Sequence, residues 1–532
     1  MTRKQTCGEA LIRLLERRGV DTVFGIPGVH TLDLYRGLST SSIRHVLVRH
    51  EQGAGFMADG YARISGRPGV CIVITGPGIT NIATPMGQAY SDSVPMLVIS
   101  TVRSTADLKK RYGRLHEISD QLSVTSPLTA LAATAMSPDQ VPVLINRAFA
   151  IFESARPRPV HIEIPLDVVA MQVDDDWQPE APVPRPRPDP AQLAAAAKML
   201  SQASSPIIVA GGGVCEGGGD LVRLADILGA PVITTVAAKG LIADDHPLSL
   251  ASTLPRTETQ GLLAEADVVL AVGTELAETD SWVDQLALTG ALVRIDIDPD
   301  QINSPYPATV GVVGDAARAL EALAALLSDH KPGDTGAIET RIGDIRRAII
   351  DGESPLRRTH RRVLQTVQAA LPDTAVFFTD MTQIAYSGNE LFVARRPGTW
   401  FHPCGFGTLG YAMPAAIGGK LASPSTPVIA LIGDAGFQFT VPELAVAVEL
   451  DIHLIIVLWN NDALGQIRDG MIERGIEEIG VVQRNPDFRL LAEAYGARYL
   501  RPGGQEKLAS GLARAHAEPG QWLIDVRQAD FS

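Results

Sequence analysis

The chain has 532 residues, of which 45% are hydrophobic, 20% charged and 5% aromatic, and its formal net charge is −14. This length exceeds what one hydrophobic core organises, so about three domains are expected. The negative charge argues against nucleic acid or an anionic membrane as a partner, because both favour basic surfaces.

The cysteines and the N-terminus indicate the compartment. The four cysteines are scattered and show no C-x-x-C pair, which is typical of reduced thiols rather than of a disulfide framework. The first residues lead into a charged, helix-like segment that fits no signal peptide, and no apolar run reaches the length of a membrane span. We therefore expect a cytoplasmic, globular, metabolic protein.

Helix and strand signals alternate from the N-terminus onward. Leu11 and Leu14 recur on one helical face that closes at Gly19. Apolar strands are predicted at 20–24, 69–75 and 96–100. Nearly continuous apolar strands separated by helices indicate a parallel sheet that is covered on both faces.

Two polar stretches divide the chain. Residues 174–190 begin with three aspartates and continue as a proline-rich linker, and residues 328–336 form a second break. The strand–helix pattern resumes after each break, with strands predicted at 206–210, 231–235, 268–272, 292–297, 376–379, 428–432 and 454–458. The sequence therefore predicts an α/β protein whose three domains, at 1–175, 190–328 and 350–532, carry parallel, doubly wound sheets.

Two predicted strands of the third domain end in polar residues. The strand at 428–432 runs into Gly433-Asp434-Ala435-Gly436, the strand at 454–458 runs into Trp459-Asn460-Asn461, and a helix is predicted to begin at Pro442. Ligands bind at this carboxyl edge of open parallel sheets, and Asp434 with Asn461 offers the oxygen ligands that Mg²⁺ or Ca²⁺ requires. The alternative is that Asp434 caps the following helix and the asparagines form a turn.

A glycine-rich turn, Gly211-Gly212-Gly213, follows the strand at 206–210 in the middle domain. Such a turn can bring main-chain amides close to a nucleotide phosphate. It can equally be a tight turn onto the next helix, because the pattern is not a G-x-G-x-x-G motif. The sequence leaves both interpretations open.

Taken in order, several motifs resemble the thiamine-diphosphate-dependent superfamily of acetolactate synthase and pyruvate decarboxylase. Asn461 follows Asp434 by 27 positions (461 − 434), as in the cofactor signature of that family. The other matching segments are Phe24-Gly25-Ile26-Pro27-Gly28, Arg49-His50-Glu51, Ala58-Asp59-Gly60-Tyr61-Ala62-Arg63, Gly76-Pro77-Gly78, Asp92-Ser93-Val94-Pro95 and Gly405-Phe406-Gly407-Thr408-Leu409-Gly410. The resemblance covers essentially the whole chain. It implies a pyrimidine-binding, a central and a diphosphate-binding domain, and a homodimer or homotetramer with the active site at the subunit interface.

The resemblance also implies roles for individual residues. Glu51 would hydrogen-bond the pyrimidine ring of thiamine diphosphate and promote proton transfer there; otherwise it is an exposed glutamate paired with Arg49. A metal ion, expected to be Mg²⁺, would be held by Asp434, Asn461 and the main-chain carbonyl of Ala463. The residues expected to contact the cofactor are Glu51, Gly407, Leu409, Gly433, Ala435, Gly436 and Leu464.

The chain departs from its relatives near the expected reaction centre. His116 stands where acetolactate synthases carry a Gln-Glu pair, His30 follows the Pro-Gly turn, and Gln466 lies where a neighbouring subgroup carries a carboxylate. We count all three as candidate catalytic residues, since imidazoles transfer protons near neutral pH. A surface loop at His116 and a helix start at His30 are the alternatives. The segment 275–280 lacks the two arginines of flavin-binding acetolactate synthases, so FAD is not expected.

The segments 28–37 and 115–117 are most similar to the branch that decarboxylates 5-guanidino-2-oxopentanoate (2-ketoarginine). The resemblance therefore predicts a lyase that converts a 2-oxo acid into an aldehyde and carbon dioxide without oxidation. A cationic substrate tail would need a carboxylate, for which Glu117, Asp462 and Asp469 are candidates and, equally, solvated surface acids.

Two other functions stay open. The first is an acetolactate synthase-like carboligase that joins two 2-oxo acids, or a 2-oxo acid and an aldehyde, after decarboxylation. The second is a relative that has lost catalysis, although the presence of Glu51, Asp434 and Asn461 argues against it.

Overall fold

The structure is a computed structural model that describes residues 4–174, 177–333 and 335–531. Asp175, Asp176 and Asp334 of the two predicted linkers, and the outermost residues of the first and last predicted domains, lie outside the described residues. Among the described residues, no helix is both long enough and apolar enough to cross a lipid bilayer.

The first domain is a parallel sheet of six strands in the order β3-β2-β4-β5-β7-β6, flanked by a small antiparallel pair of β1 and β8. Its elements are β1 Lys4–Thr6, α1 Cys7–Arg17, β2 Thr22–Gly25, α2 Leu32–Leu38, β3 Arg44–Leu47, α3 Glu51–Ser65, β4 Gly69–Val73, α4 Pro77–Ser91, β5 Met96–Val102, α5 Leu122–Thr125, β6 Leu131–Thr134, α6 Gln140–Ser154, β7 Val160–Pro165, α7 Leu166–Val169 and β8 Gln172–Asp174.

The middle domain is a five-stranded parallel sheet in the order β10-β9-β11-β12-β13, with a hydrophobic core of its own. Its elements are α8 Pro190–Ser201, β9 Pro206–Ala210, α9 Gly218–Leu228, β10 Val232–Thr234, α10 Thr257–Ala264, β11 Val268–Val272, α11 Glu278–Ser281, β12 Ala291–Asp296, β13 Val310–Val313 and α12 Ala316–Leu326.

The third domain is again a six-stranded parallel sheet, in the order β15-β14-β16-β17-β19-β18. Its elements are α13 Thr335–Asp351, α14 Pro355–Ala369, β14 Val376–Thr379, α15 Gln383–Leu391, β15 Trp400–Phe401, α16 Ala412–Ala422, β16 Val428–Gly433, α17 Asp434–Thr440, α18 Leu444–Glu449, β17 Leu454–Asn460, α19 Gly465–Glu473, α20 Phe488–Tyr495, β18 Arg498–Leu500, α21 Gln505–Ala517 and β19 Gln521–Arg527.

Both outer sheets are buried on two faces, as the alternation of side chains along their strands shows. In β4, Val70 and Ile72 enter one apolar cluster while Cys71 and Val73 enter another. This second cluster continues without a break into the third domain, where it includes Phe378 and other residues of that sheet. The first and third domains therefore share one hydrophobic core.

Helices α3 and α16 form the centre of this shared core. Gly60 lies against the carbonyl of Ala415, and Gly418 lies against the carbonyl of Met57, so the two helices run antiparallel in direct backbone contact. A Cβ atom would lie 1.9 Å from the facing oxygen at either glycine. The helix pair therefore requires glycine at both crossing points.

The fold class predicted from the sequence is confirmed. Every predicted strand forms, and each end lies within two residues of its prediction. Strands that the pattern missed include β7, whose His161 and Glu163 interrupt the apolar run. In the fold both are buried and bonded, because His161 contacts Ser100 at 2.8 Å and Glu163 accepts from Gln121 at 2.9 Å. Tertiary hydrogen bonds thus allow polar residues in a central strand.

The helix predicted to begin at Pro442 begins two residues later, at Leu444, and a helix that was not predicted precedes it. Helix α17 begins at Asp434, directly after β16, with Gly433 as its N-cap, and Pro442 lies in a short 3-10 turn between α17 and α18. Asp434 is therefore in the first turn of a helix, where a carboxylate is favoured by the helix dipole. Phe437 and the two glycines around Asp434 conceal this helix in the sequence.

The contact between α3 and α16 can be tested by substituting one of its glycines. Gly60→Ala should lower the apparent melting temperature, because the added methyl group collides with the Ala415 carbonyl and overpacking costs about 1–3 kcal/mol or more. Gly261→Ala is the matched control, since Gly261 lies in α10 and a Cβ atom there meets nothing within 4 Å. This control should gain about 0.5–1 kcal/mol from helix propensity. Equal melting temperatures for the two variants, measured by thermal denaturation, would contradict the helix contact.

Candidate functional site

Four neighbouring strands of the first sheet deliver polar side chains to its carboxyl edge. β2 leads to His30, β3 to Glu51, β4 to the Gly76 turn and β5 to Arg103. Because parallel strands end at one edge, these groups gather there. This edge is the first half of the candidate site.

Glu51 is the first residue of α3 and is buried, with 6% of its surface exposed. Its Oε2 atom accepts a hydrogen bond from Asn81 Nδ2 of α4 at 2.9 Å. Arg49 forms its ion pair with Glu449 instead. The alternative of an exposed Glu51 paired with Arg49 is therefore excluded.

Glu443 of the third domain reaches the start of the same helix. It is 1% exposed, and its carboxylate accepts hydrogen bonds from the main-chain amides of Arg49 and His50 at 2.9–3.2 Å. Burial, with a smaller contribution from Glu51, raises the pKa of Glu443 to about 7. A buried acid of the third domain thus holds the two residues that precede the helix of Glu51.

The two candidate histidines lie against each other. The rings of His30 and His116 are 5.2 Å apart in an edge-to-face contact, and His30 Nε2 lies 3.3 Å from Arg103 Nη1. Burial, and then the charges of Arg103 and His116, lower the pKa of His30. The Nδ1 atom of His30 is buried without a hydrogen-bond partner. The two imidazoles therefore stand beside the Gly76 turn, over which the His116 carbonyl packs.

The second half of the site is the carboxyl edge of the third sheet. Strands β16 and β17 are paired in parallel, so Asp434 and Asn461 follow adjacent strand ends, as predicted. Gly433 ends β16, while Ala435 and Gly436 lie in the first turn of α17. Asp434 is 2% exposed, and burial raises its pKa.

The hydrogen bonds around Asp434 and Asn461 come from neutral groups. Asn485 Nδ2 donates to Asp434 Oδ2 at 2.7 Å, and the Ala463 amide donates to Asn461 Oδ1 at 3.2 Å. Asn461 Nδ2 donates to Gln383 Oε1 at 3.3 Å. No salt bridge of the described residues neutralises Asp434. A buried carboxylate without a cationic partner, beside amide and main-chain oxygens, fits a hard divalent cation.

The described residues contain no cluster of three or more His, Cys, Asp or Glu side chains that could hold a metal ion. This finding is compatible with the predicted set of Asp434, Asn461 and Ala463, because two of these three would contribute an amide oxygen and a main-chain oxygen. Leu464 follows this set as the N-cap of α19, and its amide donates to the Val481 carbonyl at 2.8 Å.

The segment 405–410 belongs to the third domain and contacts the first domain at Asp92. Gly407 has a φ of +68°, a left-handed conformation that favours glycine. In the described part of the chain no hydrogen bond uses the Gly407 carbonyl, which leaves that oxygen free for a ligand. Leu409 is half-buried, so it is not an ordinary core residue.

Asp380 fixes the far end of this segment. It follows β14, is fully buried, and accepts hydrogen bonds from the amides of Gly410 and Ala412, both at 3.1 Å. Burial raises the pKa of Asp380 to about 6. Asp380, Glu443, Asn485 and Asn81 were not among the site residues predicted from the sequence. Only Asp380 has a sequence signal, because it is a third polar residue placed directly after a buried strand of this sheet.

The remaining candidate residues lie in different places in the fold. Gln466 is exposed in the first turn of α19. Asp469 accepts from Gln383 Nε2 at 2.7 Å, and Asp462 accepts from Asn485 Nδ2 at 2.9 Å, so both acids adjoin the Asp434–Asn461 edge. Glu117 instead accepts from the amides of Tyr112 and Arg114, and the hydrogen bond from Arg114 lowers its pKa. Glu117 therefore stabilises its own loop.

The glycine turn of the middle domain is explained by packing. The amides of Gly211 and Gly213 donate to the carbonyls of Val272 and Gly273, and the two loops approach so closely that a Cβ atom on Gly211 would lie 2.2 Å from the Gly273 oxygen. These amides are already used within the protein. The tight-turn interpretation thus accounts for the glycines.

The three domains of the fold match, in the same order along the chain, three domain models of one protein family. Residues 5–124 match the model of the thiamine pyrophosphate enzyme N-terminal TPP binding domain, residues 193–323 match the central domain, and residues 380–526 match the C-terminal TPP binding domain. A probable 2-ketoarginine decarboxylase of Pseudomonas aeruginosa is 52% identical over 98% of this chain and 94% of its own length. A probable acetolactate synthase large subunit of Methanocaldococcus jannaschii is 33% identical over 97% and 91%. The acetolactate synthase of Mycobacterium bovis is 33% identical over 96% and 86%.

The raised pKa of Glu443 predicts a pH-dependent stability. As the pH rises from the ordinary glutamate value towards about 7, the unfolded chain loses this proton before the folded one, so unfolding becomes easier. Glu443→Gln cannot ionise, and its melting temperature relative to the unsubstituted protein should therefore rise between about pH 5 and about pH 8. Thermal denaturation across this range measures the difference. The exposed Glu449→Gln variant should show a constant difference, and a constant difference for Glu443→Gln would contradict the assignment.

Proposed function

Because this chain belongs to the family of thiamine pyrophosphate enzymes, we propose that it cleaves a 2-oxo acid into an aldehyde and carbon dioxide, with 5-guanidino-2-oxopentanoate as its substrate. The observation that carries this proposal is the 52% identity over 98% of the chain to a probable 2-ketoarginine decarboxylase, against 33% to acetolactate synthases. The enzyme depends on thiamine diphosphate; the reaction and the substrate are the proposed part.

The cofactor and its metal fit the two sheet edges. When bound, thiamine diphosphate supplies a ring that accepts the electron pair left behind when carbon dioxide departs. Mg²⁺ would be held by Asp434, Asn461 and the Ala463 carbonyl, and it would offset the repulsion between Asp434 and the diphosphate. Main-chain groups of Gly433, Ala435, Gly436 and Leu464 would line the diphosphate, with Gly407 and Leu409 against the pyrimidine.

Glu51 and the histidine pair would handle protons. A buried Glu51 held by Asn81 can share a proton with a pyrimidine nitrogen in a low-dielectric site. Burial lowers the pKa of His30 and so favours its neutral form. His30 and His116 could exchange a proton with the substrate carbon that becomes the aldehyde carbon. Gln466, exposed at the start of α19, would contact the substrate without ionising.

The substrate's guanidinium would require an acid nearby. Of the three acids weighed above, Asp462 and Asp469 adjoin the Asp434–Asn461 edge, and Asp469 is joined to Asn461 through Gln383. Glu117 is engaged by its own loop. Asp462 and Asp469, with 46% and 37% of their side chains exposed, are therefore the candidates for the cationic tail.

We propose a homodimer, or a homotetramer built from dimers, with the site at the subunit interface. In the described residues no hydrogen bond or ion pair links Glu51 with Asp434, Asn461 or Ala463. Large apolar side chains are exposed beside both edges, as a shared interface requires; they are Val29, Leu32, Phe406, Phe439 and Ile467, each 49–62% exposed.

The middle domain is proposed to act without flavin. Glu275 there forms salt bridges with Arg156 and Arg158, so the charge of both guanidinium groups is already paired with a carboxylate of the protein. A cytoplasmic location is proposed too, supported by the four free cysteines.

The substrate proposal is tested with a pair of matched acids. With thiamine diphosphate and Mg²⁺, the enzyme should release carbon dioxide from 5-guanidino-2-oxopentanoate at least about ten-fold faster, by kcat/KM, than from 2-oxohexanoate, which has a neutral tail. A hydrogen bond between the guanidinium and a carboxylate contributes roughly this factor or more. Product analysis should find 4-guanidinobutanal. No carbon dioxide from either acid would overturn the decarboxylase, and an acyloin product would favour the carboligase.

Two variants test the assigned residues. Glu51→Gln should lower kcat at least about 100-fold, because an amide cannot share the proton, while thiamine diphosphate still binds. Asp434→Asn should instead weaken Mg²⁺-dependent cofactor binding, measured by isothermal titration calorimetry. Glu449→Gln, an exposed acid beside Arg49, is the control and should match the unsubstituted enzyme. Unchanged turnover in Glu51→Gln is incompatible with the proposed role.

A further inference from the structure

Two motifs that the proposed site does not use meet in the structure. Asp59 and Arg63 belong to the first motif and lie on α3; Asp92, of the second, follows α4. Arg63 donates to Asp59 Oδ1 at 2.6 Å and to Asp92 Oδ2 at 2.8 Å. The hydroxyl group of Tyr411, just before α16, donates to Asp59 at 2.6 Å. This network of one guanidinium, two carboxylates and the Tyr411 hydroxyl therefore joins α3, α4 and the start of α16.

The end of α4 also holds the segment 405–410. Asp92 Oδ1 accepts the Gly405 amide at 2.8 Å, and Gln88, which is fully buried, accepts the Thr408 hydroxyl at 3.0 Å. Gln88 donates in turn to Asp92 Oδ2 at 2.8 Å. We call Gln88 and Asp92 the α4 latch. Both of its residues come from the first domain, whereas the segment that they hold belongs to the third.

Packing reinforces these bonds. The ring of Phe406 covers Gly87 of α4 so closely that a Cβ atom there would lie 2.6 Å from the ring edge. On the other side, Asp380 holds Gly410. The anchored residues 405, 406, 408 and 410 thus enclose Gly407 and Leu409, the two residues assigned to the pyrimidine.

We propose that Gln88 and Asp92 are positioning residues for the cofactor. Acting through the Gly405 amide and the Thr408 hydroxyl, they fix the direction of the Gly407 carbonyl and the height of Leu409. This inference rests on the cofactor contacts assigned under the proposed function. It assigns a task to two first-domain residues that are not among those assigned to the cofactor or the metal.

The test compares four variants with the unsubstituted holoenzyme. Asp92→Ala removes the oxygens that accept hydrogen bonds from Gly405 and Arg63. Gln88→Met, of similar side-chain volume, removes the oxygen that accepts from Thr408. Asp92→Asn keeps one oxygen that can accept from the Gly405 amide. Tyr411→Phe is the control, because it removes a buried hydrogen bond of the same network that does not hold the segment. For each variant the dissociation constant of thiamine diphosphate at saturating Mg²⁺, the near-ultraviolet circular dichroism of the bound cofactor and the melting temperature are measured.

Asp92→Ala should raise the dissociation constant about ten-fold or more, the factor expected for a charge-assisted hydrogen bond, and Gln88→Met should raise it about five-fold. Both should alter the circular dichroism of the bound cofactor, and Asp92→Asn should recover most of the affinity. Tyr411→Phe should lower only the melting temperature. The proposal is overturned if Gln88→Met leaves the dissociation constant and the spectrum unchanged, or if Tyr411→Phe loses as much cofactor affinity as Gln88→Met. If Asp92→Ala does not fold, the result for Gln88→Met alone tests the proposal.

These measurements need no substrate. A protein that binds the cofactor but releases carbon dioxide from no 2-oxo acid contradicts the proposed reaction. The affinities and spectra of the four variants still decide the positioning role in that case.

Discussion

The backbone contact between α3 and α16 fixes the relation of the first and third domains. Gly60 and Gly418 let each helix touch a carbonyl of the other, and side chains from both sheets complete one continuous core around the pair. Close packing of this kind tolerates little displacement. The two sheet edges are consequently held as one body, and Glu51, at the start of α3, and the segment before α16 inherit their places from that contact.

Buried acids without a cationic partner lie at or next to these edges. Burial raises the pKa values of Glu443, Asp380 and Asp434, and none of the three forms a salt bridge within the described residues. Amide donors take the place of cations, at Arg49 and His50, at Gly410 and Ala412, and at Ala435 and Asn485. Acids left in this state are costly in the absence of a ligand and favour the binding of a cation. The fold thus prepares the Asp434 edge for a metal ion.

The chemistry at the strand ends was accessible from the sequence, because it depends on local order. An apolar strand followed at once by Asp434, and another followed by Asn461, place both residues at the same edge of a parallel sheet, and β16 and β17 do pair in this way. The helix at Asp434 was not accessible: its glycines and aromatic residues carry no helical pattern, and the chain turns helical there because Gly433 caps it after β16. Likewise, β7 contains polar residues whose partners lie on β5 and beyond.

The sequence by itself determined the fold class and the identity of the residues at each strand end, because period, order and spacing are written along the chain, and the resemblance of its ordered motifs indicated the family. Only the tertiary structure decided which of them meet. It joined His30 to His116, brought Glu443 from the third domain to the helix of Glu51, used the glycine turn of the middle domain for packing, and set Gln88 and Asp92 on the segment around Gly407. Those contacts connect residues that lie far apart in the chain, and they depend on the angle and distance between packed helices, which no local pattern specifies.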